Sequence, residues 1–281
     1  MRYRESCLEA QKRLEAAGVE EAALEARLLL EHVCGCERSE LYLNPERELS
    51  AEEAKRFLEL LGKRERRIPL QQLTGKAFFY GLEFAVNGDV LIPRSDTEIL
   101  VEEAEKCLSG GENILDLCTG SGCILLSLLS RGKGLSGTGT DLSEKALAVA
   151  GENAKRLAPA AAFLQGDLFG ALPESRKKSF DLIVSNPPYI ASGEIPSLMP
   201  EVAEHEPLSA LDGGEDGLAF YRRIAMEAGA WLKDGGRIFL EIGCDQAADV
   251  CALLEENGFA EVRVRKDYAQ LDRVVCGRAE I

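Results

Sequence analysis

The residues Asn186, Pro187, Pro188 and Tyr189 follow the short apolar run 180–184 after Ser185. Two consecutive prolines end a strand's ladder because neither can donate a backbone hydrogen bond, yet their carbonyls still accept. Such a rigid loop can hold the Asn186 side-chain oxygen and the Pro187 carbonyl toward one NH2 group. Tyr189 can stack on the flat π system that bears the group. The chemistry implied is transfer to a planar, amide-type nitrogen, a poor nucleophile whose lone pair is delocalised into a carbonyl. Two acceptors on its protons raise its electron density and stabilise positive charge as it develops. A plain turn is the competing interpretation of the same four residues.

Three other segments carry unusual residues after short apolar runs. Asp116-Leu117-Cys118-Thr119-Gly120-Ser121-Gly122 reads as a strand entering a Gly-rich turn that opens a helix. Gly120 and Gly122 let backbone approach a ligand closely. The dinucleotide pattern G-x-G-x-x-G is incomplete, because Leu125 stands where a third glycine belongs, and the P-loop Lys-Ser/Thr is absent. Asp141, about twenty residues beyond the turn, could accept the ribose hydroxyl protons of a nucleoside cofactor; it could also merely precede the N-cap Ser143. Asp167 could receive an exocyclic adenine amine, with Leu168 and Phe169 against the ring, or be an ordinary turn aspartate. His205, between Glu204 and Glu206, is expected at the surface.

These segments need a frame that brings strand ends together. Strands are expected at 113–117, 137–141, 162–165, 181–185 and 237–242, and helices at 143–157 and 217–232. Such alternation implies a mostly parallel sheet with helices on both faces, whose ligands bind outside the carboxyl ends of the strands. Ahead of it, residues 1–68 read as helices. Leu24, Leu28 and Val33 are expected on one face of a helix that ends near Gly35. Ser50 with Glu53 forms a capping box opening another, which carries Phe57, Leu60 and Leu61 inward. Residues 76–92 read as a β-hairpin turning at Asn87-Gly88. Three regions follow: a helical domain at 1–75, a hairpin linker at 76–92 and an α/β domain at 93–281.

Composition excludes several classes. The net charge of −15 is uneven, with 13 Lys/Arg against 15 Asp/Glu in residues 1–75, leaving −13 on residues 76–281. That is a poor balance for neutralising phosphates, so direct nucleic-acid binding is not expected. No run of 18 apolar residues is present, nor an apolar leader near the start, so a cytoplasmic protein without membrane contact is expected. The nine cysteines are an odd number without paired metal spacing. They are expected to be reduced and mostly buried, and no metal is expected. The basic run Lys63, Arg64, Arg66 and Arg67 reads as a solvated helix end or as a docking point for a partner.

Asn-Pro-Pro-Tyr after the fourth strand resembles the signature of class I S-adenosylmethionine-dependent amino-methyltransferases, which modify adenine N6, guanine N2 or glutamine N5. Further stretches resemble one branch, the peptide chain release factor glutamine methyltransferases. They are Gln72–Gly75, Phe79–Leu82, Leu91–Glu98, Glu206-Pro207 with Ala210–Leu218, and Asp272–Val275. The resemblance implies a seven-stranded Rossmann-like methyltransferase sheet preceded by a small helical domain that engages the release factor. It implies methyl transfer from S-adenosylmethionine, leaving S-adenosylhomocysteine, to the glutamine of a Gly-Gly-Gln motif in class I release factors, which modulates translation termination. Cys118, Thr119, Gly120, Ser121, Gly122 and Asp141 would then bind S-adenosylmethionine. Asp167 and Leu168 would frame its adenine, Asn186 would lie near the methyl donor, and Asn186, Pro187, Pro188 and Tyr189 would hold the glutamine, with Asn186, Pro187 and Tyr189 catalytic. A monomer is expected. Cys118 departs from the family's usual glycine and Leu168 from its usual aromatic.

Overall fold

The computed structural model describes residues 1–280 and divides into two units. The first comprises Met1–Lys76 with Met199–His205. It contains helices α1 (Tyr3–Ala16), α2 (Ala22–Cys34), α3 (Arg38–Leu43), α4 (Ala51–Glu65) and α5 (Leu70–Thr74). A short later helix, numbered α9 (Pro200–Ala203), belongs to it as well. Tyr3, Leu14, Leu29, Leu30, Phe57 and Leu61 form its core. Each large apolar side chain so buried contributes roughly 1.5–3 kcal/mol. At the start of α4 the Glu53 amide donates to Ser50 Oγ at 3.2 Å and the Ser50 amide to Glu53 Oε2 at 2.7 Å. That is the expected capping box, and Phe57, Leu60 and Leu61 point inward as expected.

Two expectations for this unit hold only in part. The inner face of α2 is Ala22, Ala26, Leu29 and Leu30, with Leu24 exposed and Leu28 and Val33 only half-buried. Small residues let α2 approach its neighbours closely, and that choice of stripe is made by packing, because a helix with this many apolar residues offers more than one. The basic run is a solvated helix end only at Lys63 and Arg66; Arg64 and Arg67 are engaged. Arg64 is 3% exposed and donates to Glu25 Oε1 at 3.1 Å and Glu201 Oε1 at 2.9 Å. Arg67 donates to Glu201 at 2.6 Å from two nitrogens and to the carbonyls of Ala17 and Gly18. Against its own burial, these guanidinium hydrogen bonds hold the Glu201 carboxyl below the ordinary carboxylate range. His205 is half-buried here, its Nε2 3.0 Å from the Arg66 carbonyl and its own carbonyl accepting from Gln72 at 2.8 Å.

The second unit comprises Ala77–Leu198 and Glu206–Ile281. Its hairpin, β1 (Lys76–Phe79) and β2 (Leu82–Ala85), turns at Tyr80-Gly81, not at Asn87-Gly88. Tyr80 and Gly81 both take positive φ (51° and 76°), the backbone a tight hairpin with right-handed strand twist requires. The Tyr80 amide donates to Glu98 and its hydroxyl to Glu105, which offsets the strain in a non-glycine residue. Asn87 closes a local turn by accepting from the Asp89 amide at 2.9 Å. From there Val86, Val90 and Ile92 run as irregular chain packed on Ala146 and Val149.

The remaining elements are α6 (Glu98–Glu105), β3 (Asn113–Leu117), α7 (Cys123–Arg131), β4 (Ser136–Asp141), α8 (Glu144–Leu157), β5 (Ala162–Gln165), β6 (Phe180–Ser185), α10 (Ala219–Trp231), β7 (Leu232–Glu241), α11 (Ala247–Glu256), β8 (Phe259–Lys266) and β9 (Asp272–Ala279). They form the expected sheet with helices. Seven strands run in the order β5-β4-β3-β6-β7-β9-β8, parallel from β5 to β7, with β9 antiparallel to both neighbours. The chain leaves β3 toward β4 and returns to β6 on the other side, so the order reverses at β3. That reversal is where an open α/β sheet has its crevice. Register pairs Leu117 with both Thr140 and Ser185, Asp141 with Gln165, and Ser185 with Leu240. All the expected site segments therefore emerge along one edge.

Leu125, in the place of a third glycine, is fully buried in α7. A Cβ on Gly137 of β4 would lie 2.6 Å from its Cδ1, so the glycine that permits close helix–sheet packing is on the strand. All nine cysteines are free; only Cys123 and Cys276 are buried, Cys244 is exposed, and the rest are half-buried rather than mostly buried as expected. No helix among the described residues is long and apolar enough to cross a membrane.

Candidate active site

A cavity of about 220 Å³ opens at the carboxyl edge of β3, β4, β5 and β6, in the second unit. Cys118, Gly120, Asp141, Asp167, Leu168, Asn186 and Pro188 line it, so most of the expected site residues meet there. Thr119, Ser121 and Gly122 do not line it; they build its turn. Thr119 donates to Asp116 Oδ2 at 2.6 Å, the Ser121 carbonyl accepts from Asn153, and Gly122 turns the chain into α7 with φ 80°. Cys118 itself has φ 57°, a conformation that favours glycine.

Electrostatics under the turn are unusual. Asp116 is fully buried, and burial pushes its carboxyl up to about 7 against the Thr119 hydrogen bond. Asp141 accepts from the Gly120 amide and the Ser143 amide, both at 2.9 Å. Burial raises the Asp141 carboxyl while these amides pull the other way. Asp141 thus bridges the Gly-rich turn and the start of α8. Asn153, buried in α8, completes the frame. Its Nδ2 donates to the carbonyls of Ser121 and Ala85 at 3.0 Å, and its Oδ1 accepts from the Ala85 amide at 2.7 Å.

At the far side, Asp167 is met by Arg223 of α10, whose Nη2 donates to Oδ2 at 2.8 Å. Arg223 and Phe220 also line the cavity, and sequence reasoning had named neither. Phe169, expected against an adenine ring, instead turns into the core and stacks on Trp231 at 5.8 Å. Leu168, with φ 50°, remains as the apolar wall.

The Asn186–Tyr189 loop leaves β6 at Ser185, whose hydroxyl donates to the Leu117 carbonyl at 2.8 Å. Asn186 and Pro188 face the first cavity. Tyr189 faces a second one of about 410 Å³, lined also by Leu218, Gly243 and Arg273. Behind Tyr189 lies the turn 212–217. A Cβ on Gly213 would sit 2.8 Å from the Tyr189 Cα, and one on Gly217 2.3 Å from its carbonyl oxygen. Gln246 donates to that oxygen at 2.9 Å. Burial raises the Tyr189 phenol, so it stays neutral.

The segment Arg94–Glu98 is a hub. Arg94 donates to the buried Glu206 at 2.6 Å, Asp96 pairs with Arg273 at 3.5 Å, Thr97 accepts from Asn186, and Glu98 accepts from Tyr80. Glu241, at the end of β7, is buried beside Thr97 and Tyr189, and burial pushes its carboxyl up to about 7. Thr97, Glu241 and Arg273 were missed as site residues, although two of them lie in stretches that carried the resemblance. Among the described residues no cluster of three or more His, Cys, Asp or Glu side chains is placed to hold a metal ion.

Comparison with known proteins agrees with this geometry. Residues 6–75 match the family model described as PrmC N-terminal domain, and residues 95–205 match the methyltransferase small domain. The chain is 45% identical to a release factor glutamine methyltransferase of Caulobacter vibrioides, over 95% of this chain and 93% of that one. It is 39% identical to one from Clostridium acetobutylicum, over 98% of both. Among solved structures, a methyltransferase from Pyrococcus furiosus superposes with a TM-score of 0.54 at 18% identity, covering 83% of this chain and all of that one. The 16S rRNA N2 G1207 methyltransferase of Thermus thermophilus, in complex with AdoMet and guanosine, gives 0.53 at 22%, covering 73% and 50%. These two share the fold. With a crevice at the switch point of a seven-stranded sheet and relatives of this identity along nearly its whole length, the chain belongs to the family of release factor glutamine methyltransferases, which are S-adenosylmethionine-dependent enzymes.

Proposed function

We propose that this enzyme methylates the side-chain nitrogen, N5, of the glutamine in the Gly-Gly-Gln motif of class I peptide chain release factors. The observation that carries this reading is the position of the Asn186–Tyr189 loop as the shared wall of two cavities in one unit. One cavity suits a nucleoside donor, and the other gives a side chain access to Tyr189. When bound, S-adenosylmethionine supplies an electrophilic methyl group on its sulfonium. Asp141 would accept from its ribose, Asp167 and Leu168 would frame its adenine, and the turn Cys118–Gly122 would admit its backbone-facing side. Asn186 Oδ1 and the Pro187 carbonyl would accept the two amide protons of the glutamine, orient its nitrogen and stabilise developing positive charge. Pro188 keeps the loop rigid, and neutral Tyr189 would pack on the amide plane.

The acidic charge of residues 76–281 supports a protein substrate rather than direct contact with nucleic acid. The same reading has the enzyme act in the cytoplasm, as a monomer, without a metal. The test is incubation with labelled S-adenosylmethionine and purified release factors, followed by mass mapping. Label on the glutamine of the Gly-Gly-Gln motif is expected, and label on nucleic acid instead overturns the reading. Asn186→Ala should lower kcat roughly 10²- to 10³-fold, the usual cost of a removed transition-state contact, while donor affinity changes little. Equal kcat in that variant refutes the role of Asn186.

A further inference from the structure

The Asn186 side chain is two-ended. Its oxygen serves the chemistry proposed above, and a rotation of the amide would present two donors in its place. Nothing in the loop's own sequence prevents that rotation. The neighbours do. Asn186 Nδ2 donates to Thr97 Oγ1 at 3.3 Å. Thr97 is 2% exposed in the turn Ser95–Thr97, and a hydroxyl carries one proton and two lone pairs. Its other polar neighbour is Glu241, also 2% exposed, whose carboxyl burial pushes up while the adjacent Thr97 side chain pulls it back down. An ionised carboxylate only accepts. Glu241 Oε2 has no hydrogen-bond partner among the described residues, so the carboxylate has spare capacity for the Thr97 proton.

With Glu241 ionised, the order of donors leaves no freedom. Thr97 gives its single proton toward Glu241 and turns lone pairs to Asn186. The end of Asn186 that meets lone pairs must be the NH2, which leaves Oδ1 as the acceptor available to a substrate. We propose that Thr97, oriented by Glu241, is the positioning residue that fixes the side-chain amide of Asn186 in its productive sense. The proposal rests on the reading of Asn186 given under the proposed function. It adds two residues that touch neither the transferred methyl group nor its acceptor.

The test uses the full chain and three forms of it: wild type, Thr97→Val, which keeps the shape and removes the hydroxyl, and Thr97→Ser, which keeps the hydroxyl. Thr97→Val is expected to lower kcat on the order of 100-fold, as a misoriented group does, without changing S-adenosylmethionine affinity measured by calorimetry. Thr97→Ser is expected to restore most of the rate. Unchanged kcat in Thr97→Val, or an equal loss in Thr97→Ser, overturns the proposal. A second readout does not depend on turnover. The Asn186 side-chain NH2 signals, assigned by their loss in Asn186→Asp, should exchange slowly in wild type and Thr97→Ser and rapidly in Thr97→Val. Equal exchange in all three overturns the positioning role even where methylation proceeds. If the wild type leaves release-factor glutamine unmodified, the proposed function fails, and the exchange measurement still decides whether Thr97 holds Asn186.

Discussion

Gly217→Ala should uncouple the chemistry from donor binding, and the size of its effect can be worked out from contacts behind Tyr189. Gly217 has φ 73°, and a Cβ there would lie 2.3 Å from the Tyr189 carbonyl oxygen and 2.7 Å from Gln246 Nε2. A Cβ contact shorter than 3.0 Å is essentially never tolerated, so the Tyr189 peptide must retreat by about 0.7 Å or the turn must open. The left-handed backbone costs an alanine about 1–2 kcal/mol. Loss of the Gln246 hydrogen bond to Tyr189 adds about 1 kcal/mol. The sum, about 2–3 kcal/mol, corresponds to a fall in Tm of roughly 4–12 °C for a unit of this size. A displacement approaching 1 Å at a positioning group costs up to about 10²-fold in rate, so kcat should fall roughly 10- to 100-fold. Donor affinity should hold, because Gly217 does not line the cavity that contains Asp141 and Asp167. Steady-state kinetics, calorimetry with S-adenosylmethionine and thermal melts read the three quantities. Gly193→Ala is the control, since a Cβ there meets nothing within 4 Å. Wild-type kcat in Gly217→Ala, or a loss of donor affinity as large as the loss in kcat, would refute the claim that the turn acts by holding Tyr189.

Further tests address the frame and the buried charge. Asn153→Ala strands the Ala85 amide and the carbonyls of Ala85 and Ser121, and at about 1–3 kcal/mol per group left unpaired should cost at least about 3 kcal/mol; denaturant melts check it. Glu201→Ala removes the shared partner of Arg64 and Arg67, and with Glu25 still on Arg64 the loss should be about 2–3 kcal/mol, below the full cost of an unpaired buried charge. Melts of the first unit's helical signal would show it, and an unchanged Tm would show the network to be inert. Glu241 faces Arg273, Asp96, Thr97 and Tyr189, and its carboxyl stands at about 7. If its ionised form orients Thr97, kcat of the wild type rises as pH passes through about 7, and the Glu241→Gln profile loses that rise. Asp116 titrates in the same region and is common to both proteins, so only the difference between profiles counts. The stability sign is opposite. With a folded value above the ordinary 4.5, the native state holds a proton that the unfolded chain has released, so Glu241's contribution to stability falls between about 4.5 and about 7. Glu241→Gln should gain on the wild type over that window.

What was legible in the sequence is what short-range physics decides. The capping box of Ser50 and Glu53, the strands and the Gly-rich turn are specified within a few residues of themselves. The hairpin turn was misplaced because Asn87-Gly88 has the stronger local preference, while Tyr80-Gly81 is selected by Glu98 and Glu105, some 18 and 25 residues away. Arg64 and Arg67 looked solvated because their shared partner, Glu201, is 134 residues beyond Arg67. The missing third glycine was an apparent fault only while Gly137 was unknown as the counterpart of Leu125. In each case a local signal was real and a distant partner decided the outcome.

The same distinction explains where this enzyme tolerates poor hydrogen bonding. Of the buried side-chain polar atoms without a partner among the described residues, those of Asp116, Ser121, Thr140, Glu206 and Glu241 lie at the carboxyl edge of the sheet or in the loops that border it. Buried carboxylates elsewhere are answered: Glu103 by Lys106 and Arg265, Asp267 by Arg273 and the Leu271 amide. Burying an acceptor atom without a donor costs about 1–3 kcal/mol, and folding alone would select against three carboxylates that each leave one oxygen unpaired along one edge. Their concentration follows from what the edge must do. Carboxylates and amides that order the donors around them have to be buried to stay rigid, and they keep acceptor capacity only if the surrounding core does not use it up. Asn186 illustrates the rule from the other side, since Thr97 occupies its donor end and leaves its acceptor end for the substrate amide proposed above.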